Sequence, residues 1–223
     1  MKPPLPEYPY KEMFRRKAGL RMFGKSGNRT LYIDAQSPAA SELLARRLQR
    51  CIRSAGRNWR ELVFLCIGSD SITGDSLGPL VGGELFRQRQ PGFFVYGTPE
   101  QPVHAMNLSE QLADLSLWHP RALVVAVDAS LGNPRHQQHI SVGKGSIRPG
   151  AGAGKVLPDV GDIFITGIVS SFEKNSHREL QAVDFSDILR LSDTISRGIL
   201  SAWEKLLKSR KSCLPEGSSF SWL

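Results

Sequence analysis

Two aspartates, Asp75 and Asp128, follow apolar segments at positions where their carboxylates can meet. Asp75 lies with Asp70 in the glycine-containing loop of residues 68–79, which follows the apolar run 61–67. Asp128 directly follows the apolar run 122–127. An unpaired carboxylate is costly to bury, so an aspartate next to a buried apolar run is expected to have a structural or a chemical role. The structural alternatives are a helix or loop cap for Asp128 and an Asx-turn for Asp70.

The chemistry open to such a pair is general acid–base catalysis. Two carboxylates in contact cannot both ionise cheaply, so they share one proton. The ionised member then activates a water against a peptide carbonyl, and the protonated member donates its proton to the carbonyl oxygen or to the departing amine. We therefore predict that Asp75 and Asp128 are catalytic and titrate as a unit.

A second segment of interest is the glycine-rich loop of residues 149–155, preceded by Arg148. A phosphate-binding loop requires glycine at position 149 and serine or threonine after Lys155, but Pro149 and Val156 stand there. We therefore predict a flexible wall of the active cleft. Arg148 and Lys155 either orient a substrate carboxylate or are solvated loop charges.

Alternating apolar runs and amphipathic segments predict the elements that position the acids. Short, continuous apolar runs are typical of strands buried on both faces of a parallel sheet. Strands are predicted at 61–67, 93–97, 122–127, 139–142 and 163–169, and helices at 38–55, 80–90, 107–117 and 185–209. Asn107 and Glu110 have the spacing of a capping box at the start of the third helix. This alternation predicts a three-layer α/β/α sandwich with a mostly parallel central sheet, in which ligands bind at the carboxyl ends of the strands.

The organisation along the chain predicts one domain with two appendages. Residues 1–36 mix prolines and basic residues without sustained periodicity, and are interpreted as an N-terminal extension. Residues 37–210 form the predicted α/β domain, and residues 211–223 a flexible tail.

Composition indicates where the protein resides and which classes of partner it binds. The chain's net charge of +8 is concentrated at its front end, because residues 1–60 carry 14 Lys and Arg against 4 Asp and Glu, whereas residues 61–223 carry 15 against 17. We interpret this basic segment as a solvated face rather than a nucleic-acid site. No apolar run approaches the roughly 20 residues of a membrane span, and the polar N-terminus lacks the apolar stretch of a secretory signal. Three cysteines without CxxC spacing and five scattered histidines indicate neither disulfides nor a metal site. We expect a cytoplasmic protein without a cofactor.

Several segments together resemble the YyaC family of sporulation proteins. They are the loop of residues 68–79, the strand end 125–129, and the runs 147–155 and 157–167, in this order and at compatible spacing. The resemblance covers about residues 60–205. More distantly, residues 73–79 and 127–129 resemble the two aspartate-bearing motifs of the spore germination protease, an atypical aspartic endopeptidase that shares its fold with the hydrogenase maturation proteases.

The resemblance implies roles for individual residues. Asp75 and Asp128 match the two catalytic aspartates of the germination protease. The maturation proteases bind nickel with a Glu beside the loop Asp and a later His, but Ser76 occupies that neighbouring position and no His matches, so no metal is expected. We further predict that six residues bind the substrate or shape the site: Asp70, Gly74, Gly78, Arg148, Lys155 and Thr166.

Three functions are compatible with these features. The first is a sporulation-associated peptidase that hydrolyses spore proteins inside a spore-forming bacterium. The second is a catalytically inactive spore regulatory protein that uses the same cleft to hold a peptide. The third is a hydrolase or phosphorylase of a small metabolite. This function requires an anion-binding cluster, and Arg148 and Lys155 alone are weak evidence for one. Retention of both aspartates favours the peptidase. The sequence leaves the substrate and the oligomeric state open.

Overall fold

The computed structural model describes residues 30–56, 59–150, 157–171 and 176–211. These residues form a six-stranded sheet of order β1-β5-β6-β4-β2-β3. The strands are β1 (Leu31–Asp34), β2 (Glu61–Cys66), β3 (Phe93–Tyr96), β4 (Ala122–Gly132), β5 (His139–Lys144) and β6 (Ile163–Ser171). The helices are α1 (Ala40–Ser54), α2 (Leu77–Arg87), α3 (Leu108–Trp118), α4 (Ser176–Gln181) and α5 (Phe185–Lys211), with two 3₁₀ turns, η1 (Thr73–Asp75) and η2 (Pro134–His136).

The centre of the sheet is parallel. β2 pairs in parallel with β3 on one side and with β4 on the other, and β4 pairs in parallel with β6. β5 is antiparallel to both β1 and β6. The apolar runs of β2 and β4 are buried on both faces, as predicted for central parallel strands.

Helices cover the two faces of the sheet unequally. On the first face, α1, α2 and α5 pack on one large core, because their apolar residues recur at helical spacing: Leu44, Leu48, Val81, Leu85, Ile195 and Ile199. On the second face, α3 contributes Leu108, Leu112 and Leu115 to a smaller core over β2 and β4. These layers confirm the predicted three-layer α/β/α sandwich with a mostly parallel sheet.

Strand β1 lies within the segment predicted as an N-terminal extension. Its four residues pair with β5, and Ile33 is buried in the core of the first face. The run is too short for a recognisable period, and pairing with a distant strand forms it. Residues 1–29 and the tail 212–223 lie outside the described residues.

Two local predictions were wrong. The Asn107–Glu110 capping box does not form, because the Asn107 side-chain oxygen instead accepts a hydrogen bond from the His104 N–H at 2.8 Å. The strand predicted to end at Val127 continues to Gly132, because β6 is long enough to pair with it throughout. The described part of the chain contains no helix that is long and apolar enough to cross a membrane.

Candidate active site

Asp128 is a buried acid within β4 rather than a residue after its end. Only 8% of its surface is exposed. The neighbouring strand β2 ends at Cys66, which pairs with Val127, whereas β6 continues beside β4 and places Thr166 opposite Asp128. Asp128 therefore stands one residue beyond the end of β2, where the sheet opens on that side.

Asp75 reaches the same place from the loop that follows β2. It is the last residue of η1, and this turn contacts β4, α4 and α5. The loop is closed by backbone hydrogen bonds: Gly68 N–H donates to Val103 C=O at 2.8 Å, and Ser69 N–H donates to Asp75 C=O at 3.1 Å. The position of Asp75 is thus tied to the end of β2.

Glycines allow this loop to pack so closely. A Cβ atom at Gly78 would lie 2.0 Å from the Ile67 carbonyl oxygen, and one at Gly74 would lie 2.7 Å from the Leu180 carbonyl oxygen of α4. Gly68 has a φ of +147°, a conformation that favours glycine. A Cβ atom at Gly68 would also lie 2.0 Å from the Asp75 carbonyl oxygen. The predicted site-shaping role of Gly74 and Gly78 thus has a steric basis, since both hold the backbone that carries Asp75.

Burial and charge act together on Asp128. Removal from water raises the pKa of its carboxyl well above the usual range, and repulsion by the Asp75 carboxylate raises it further. A hydrogen bond from the Ala129 N–H opposes these two effects. The Asp75 carboxylate thus lies close enough to act on the charge of Asp128, and Asp128 keeps its proton to a higher pH than an ordinary aspartate.

The location fits a general property of parallel sheets. The chain leaves β2 through α2 towards β3 on one side, whereas from β4 it continues to β5 and β6 on the other side. Such a reversal opens a crevice at the carboxyl ends of the two strands, and ligands of α/β proteins bind there. Asp75 and Asp128 both lie at this reversal.

The other predicted site residues are distributed differently. Thr166 is buried beside Asp128, and its hydroxyl lies 2.7 Å from that of Ser141. Asp70 is exposed in the turn before η1. Arg148 is also exposed and pairs with Asp159 at 2.9 Å, a contact that raises the pKa of the guanidinium. Lys155 and most of the glycine-rich loop lie outside the described residues.

Two further groups help to delimit the site. The Asp162 carboxylate accepts a hydrogen bond from Val124 N–H at 3.0 Å. Asp162 lies just before β6, at the amino-terminal end of that strand and therefore away from the carboxyl ends where Asp75 and Asp128 lie. Cys66 ends β2, but burial raises the pKa of its thiol, so it is not a ready nucleophile. Within the described ranges, no three His, Cys, Asp or Glu side chains are grouped to hold a metal ion.

The residues that surround Thr166 carry no motif and were not among the predicted site residues. Ser130, Ser141, Tyr32 and His136 line a cleft with it. The alternation of apolar and small polar residues in β5 and β6 indicates that Ser141 and Thr166 face away from the larger core. Which residues of different strands are neighbours depends on the register, which alternation does not specify.

Fold and site together define an α/β protein whose sheet holds a buried aspartate beside a second aspartate at the reversal of the strand order. The chain belongs to the family described as "Protein of unknown function (DUF1256)", which matches residues 32–198. It is 35% identical over 184 residues to "Uncharacterized protein YyaC" of Bacillus subtilis (strain 168), across 82% of this chain and 88% of that protein. The YyaC-type membership predicted from the motifs is therefore confirmed.

Proposed function

We propose that this chain is a peptidase that hydrolyses peptide bonds of spore proteins with Asp75 and Asp128 as its acid–base pair. The observation that carries the proposal is a buried aspartate whose pKa is raised by burial and by the charge of a second aspartate, at the reversal of the strand order. Strongly perturbed acids in a crevice are characteristic of functional sites. The resemblance of both motifs to those of the germination protease supplies the substrate class.

The environments of the two acids suggest different roles. Asp128, buried at 8% exposure, retains the proton and acts as the general acid, whereas the partly buried Asp75 acts as the general base. Asp75 removes a proton from a water as its oxygen attacks the carbonyl carbon, and Asp128 donates its proton to the carbonyl oxygen. When the C–N bond breaks, Asp75 passes its proton to the amine and Asp128 recovers one from the collapsing diol. No covalent intermediate is required.

Replacement of either acid by asparagine tests this mechanism. Asparagine preserves the shape and removes the proton chemistry, so Asp75→Asn and Asp128→Asn are each expected to lower peptide hydrolysis by at least about 100-fold. The assay follows cleavage of extracted spore proteins by mass spectrometry, with a germination protease as positive control. Asp114→Asn, which removes an exposed carboxylate from α3, is the matched control and is expected to cleave normally.

The results distinguish the alternatives. Circular dichroism and urea unfolding must show that both asparagine variants fold. Undiminished cleavage by a folded Asp75→Asn or Asp128→Asn variant refutes the acid–base pair. If the unmutated chain cleaves nothing while the positive control is active, the peptidase proposal fails and the non-catalytic peptide-binding alternative replaces it.

A further inference from the structure

A row of four residues crosses the second face of the sheet from Asp128 to the edge strand. Tyr32 of β1 pairs with Ser141 of β5, Ser141 pairs with Thr166 of β6, and Thr166 pairs with Asp128 of β4. Residues directly opposite each other on neighbouring strands point to the same face. The acid therefore forms one end of a polar row that covers four strands.

Three residues of this row, Tyr32, Ser141 and Thr166, line a cleft that lies beside Asp128. In the described part of the chain, the helix of the second face, α3, packs over β2 and β4, so the half of that face formed by β1, β5 and β6 has no helical cover. The cleft has a volume of about 340 Å³, and its polar lining comprises Ser130, Ser141, Thr166, Asn133, Tyr32 and His136. This volume is at the small end of the range of ligand pockets, and it admits a side chain of a bound peptide together with part of the peptide backbone.

The three hydroxyls at the bottom of the cleft have a defined hydrogen-bonding capacity. Ser130 Oγ–H donates to Thr166 Oγ1 at 3.3 Å, and a second hydrogen bond of 2.7 Å joins the hydroxyls of Thr166 and Ser141. Three hydroxyl protons thus serve two hydrogen bonds, whichever residue donates the second, so one proton is left for a ligand. Several oxygen lone pairs also remain. The cluster can donate one hydrogen bond and accept others.

The walls limit the ligand further. No Lys, Arg, Asp or Glu side chain lines the cleft among the described residues. A cation would therefore lose its hydration without gaining a partner of opposite charge, and an anion would have His136 alone as a cationic partner when that ring is protonated. The rings of Tyr32 and His136 stack at 4.2 Å with an interplanar angle of 16°, and form a flat wall. A planar, uncharged group with one acceptor and a donor pair matches these features.

We propose that this cleft binds the side-chain amide of a glutamine or asparagine in a bound peptide. The amide oxygen accepts the spare hydroxyl proton, and the amide NH₂ donates to the remaining oxygen lone pairs. The amide plane lies against the flat Tyr32 wall. A leucine side chain is similar in size to that of glutamine but forms no hydrogen bonds with the buried hydroxyls, and that loss weakens its binding.

The spacing of the row predicts where this residue lies relative to the cleaved bond, a point that rests on the proposed function. Neighbouring strands are about 4.8 Å apart, so the Thr166–Ser141 hydroxyls lie about 5 to 10 Å from Asp128 along the row. An extended peptide advances about 3.3 Å per residue. The amide residue is therefore expected about two or three residues from the bond that Asp128 and Asp75 attack.

Binding can be measured without any cleavage. N-acetyl-glutamine N-methylamide and its leucine counterpart are titrated into the isotope-labelled full chain, and NMR shifts are followed. We expect saturable shifts at residues 130–133, 141 and 166, with about tenfold weaker binding of the leucine probe, as the loss of one or two hydrogen bonds predicts.

Two variants locate the effect in the cleft. Thr166→Val and Ser130→Ala each remove one hydroxyl, and both are expected to abolish most of the preference for the glutamine probe. Ser54→Ala removes a hydroxyl from α1 on the opposite face and is expected to bind like the unmutated chain. Because Ser130 is only partly buried, its variant is expected to fold even if Thr166→Val does not.

The possible outcomes separate this inference from the peptidase proposal. Equal binding of both probes, or no shifts in the cleft, overturns the amide site. Selective binding of the glutamine probe by a chain that cleaves no spore protein supports the amide site and contradicts the peptidase. Cleavage of a peptide library without preference for Gln or Asn within three residues of the bond contradicts the predicted position of the amide.

Discussion

Asp128 combines an acidic side chain with a place inside a central strand, and this combination has consequences for stability. Burial and the nearby Asp75 charge raise the pKa of its carboxyl, so the folded protein retains a proton that the unfolded chain releases above about pH 4. Stability therefore falls as pH rises from that value, until Asp128 ionises in the folded state as well. The residue is kept at a cost to the fold, as is common for functional acids.

This linkage leads to a prediction for Asp128→Asn. Asparagine does not titrate, so the variant lacks the proton-linked loss of stability. The difference in unfolding free energy between the variant and the unmutated chain should shift in favour of the variant, by as much as about 1.4 kcal/mol per pH unit above about pH 4. Urea unfolding at a series of pH values measures it. Parallel stability curves would show that Asp128 has an ordinary pKa, and Asp114→Asn provides the comparison for an exposed acid.

The raised pKa of Asp128 also predicts how the rate of hydrolysis depends on pH. If Asp128 is the general acid, its loss of the proton ends activity, so the rate should fall as pH rises through the pKa of Asp128. A rate that keeps rising past that pH would assign the proton donation to another group.

At the scale of elements, the loop from β2 to α2 decides whether the two acids meet. The helix begins at Leu77, three residues before the predicted start, and Gly78 in its first turn lies against the end of β2. Close contact between helix and strand shortens the path of the loop. Asp75 consequently lies beside β4 instead of projecting into solvent.

Substitution of Gly78 tests this contact. A Cβ atom 2.0 Å from the Ile67 carbonyl oxygen forces helix and strand apart, so Gly78→Ala should destabilise the fold by about 3 kcal/mol or more. Gly83 lies in the same helix, but its Cβ would meet side-chain atoms of Pro99, the nearest at 2.9 Å, and no backbone atom, so Gly83→Ala should cost less. Urea unfolding measures both. Equal stabilities of the two variants would show that the Gly78 contact does not hold the loop.

At the scale of the whole molecule, the domain boundary is a question of sheet completion. The edge strand β1 covers one side of β5, buries Ile33 and provides Tyr32 to the cleft around Thr166. A boundary at residue 36 separates β1 from the domain that it completes. In residues 37–210 alone, β5 would become the edge strand, and the backbone groups that pair with β1 would be left unpaired.

Two truncations test the boundary. Removal of residues 1–29 is expected to retain cooperative unfolding, since β1 stays in place. Removal of residues 1–36 deletes β1 and is expected to lower stability by about 2 kcal/mol or more, because a buried isoleucine and a strand pairing are lost. Thermal unfolding compares the two proteins. Equal melting temperatures would show that β1 does not stabilise the domain.

The sequence alone determined the layers and the two acids. Continuous apolar runs at β2 and β4, alternating with amphipathic helices, predicted a parallel sheet between helices, because only strands buried on both faces require such runs. The rule for parallel sheets then directed attention to Asp75 and Asp128. Both steps use local patterns, which are visible without knowledge of contacts between distant segments.

Only the tertiary structure decided the register and the depth of the site. It extended β4 past Asp128, added β1, and aligned Tyr32, Ser141, Thr166 and Asp128 in one row. These features arise from pairing between strands that are far apart in sequence, and a shift of one residue would turn every one of these side chains to the other face. The raised pKa of Asp128 likewise depends on burial by all its neighbours together, which no local pattern encodes.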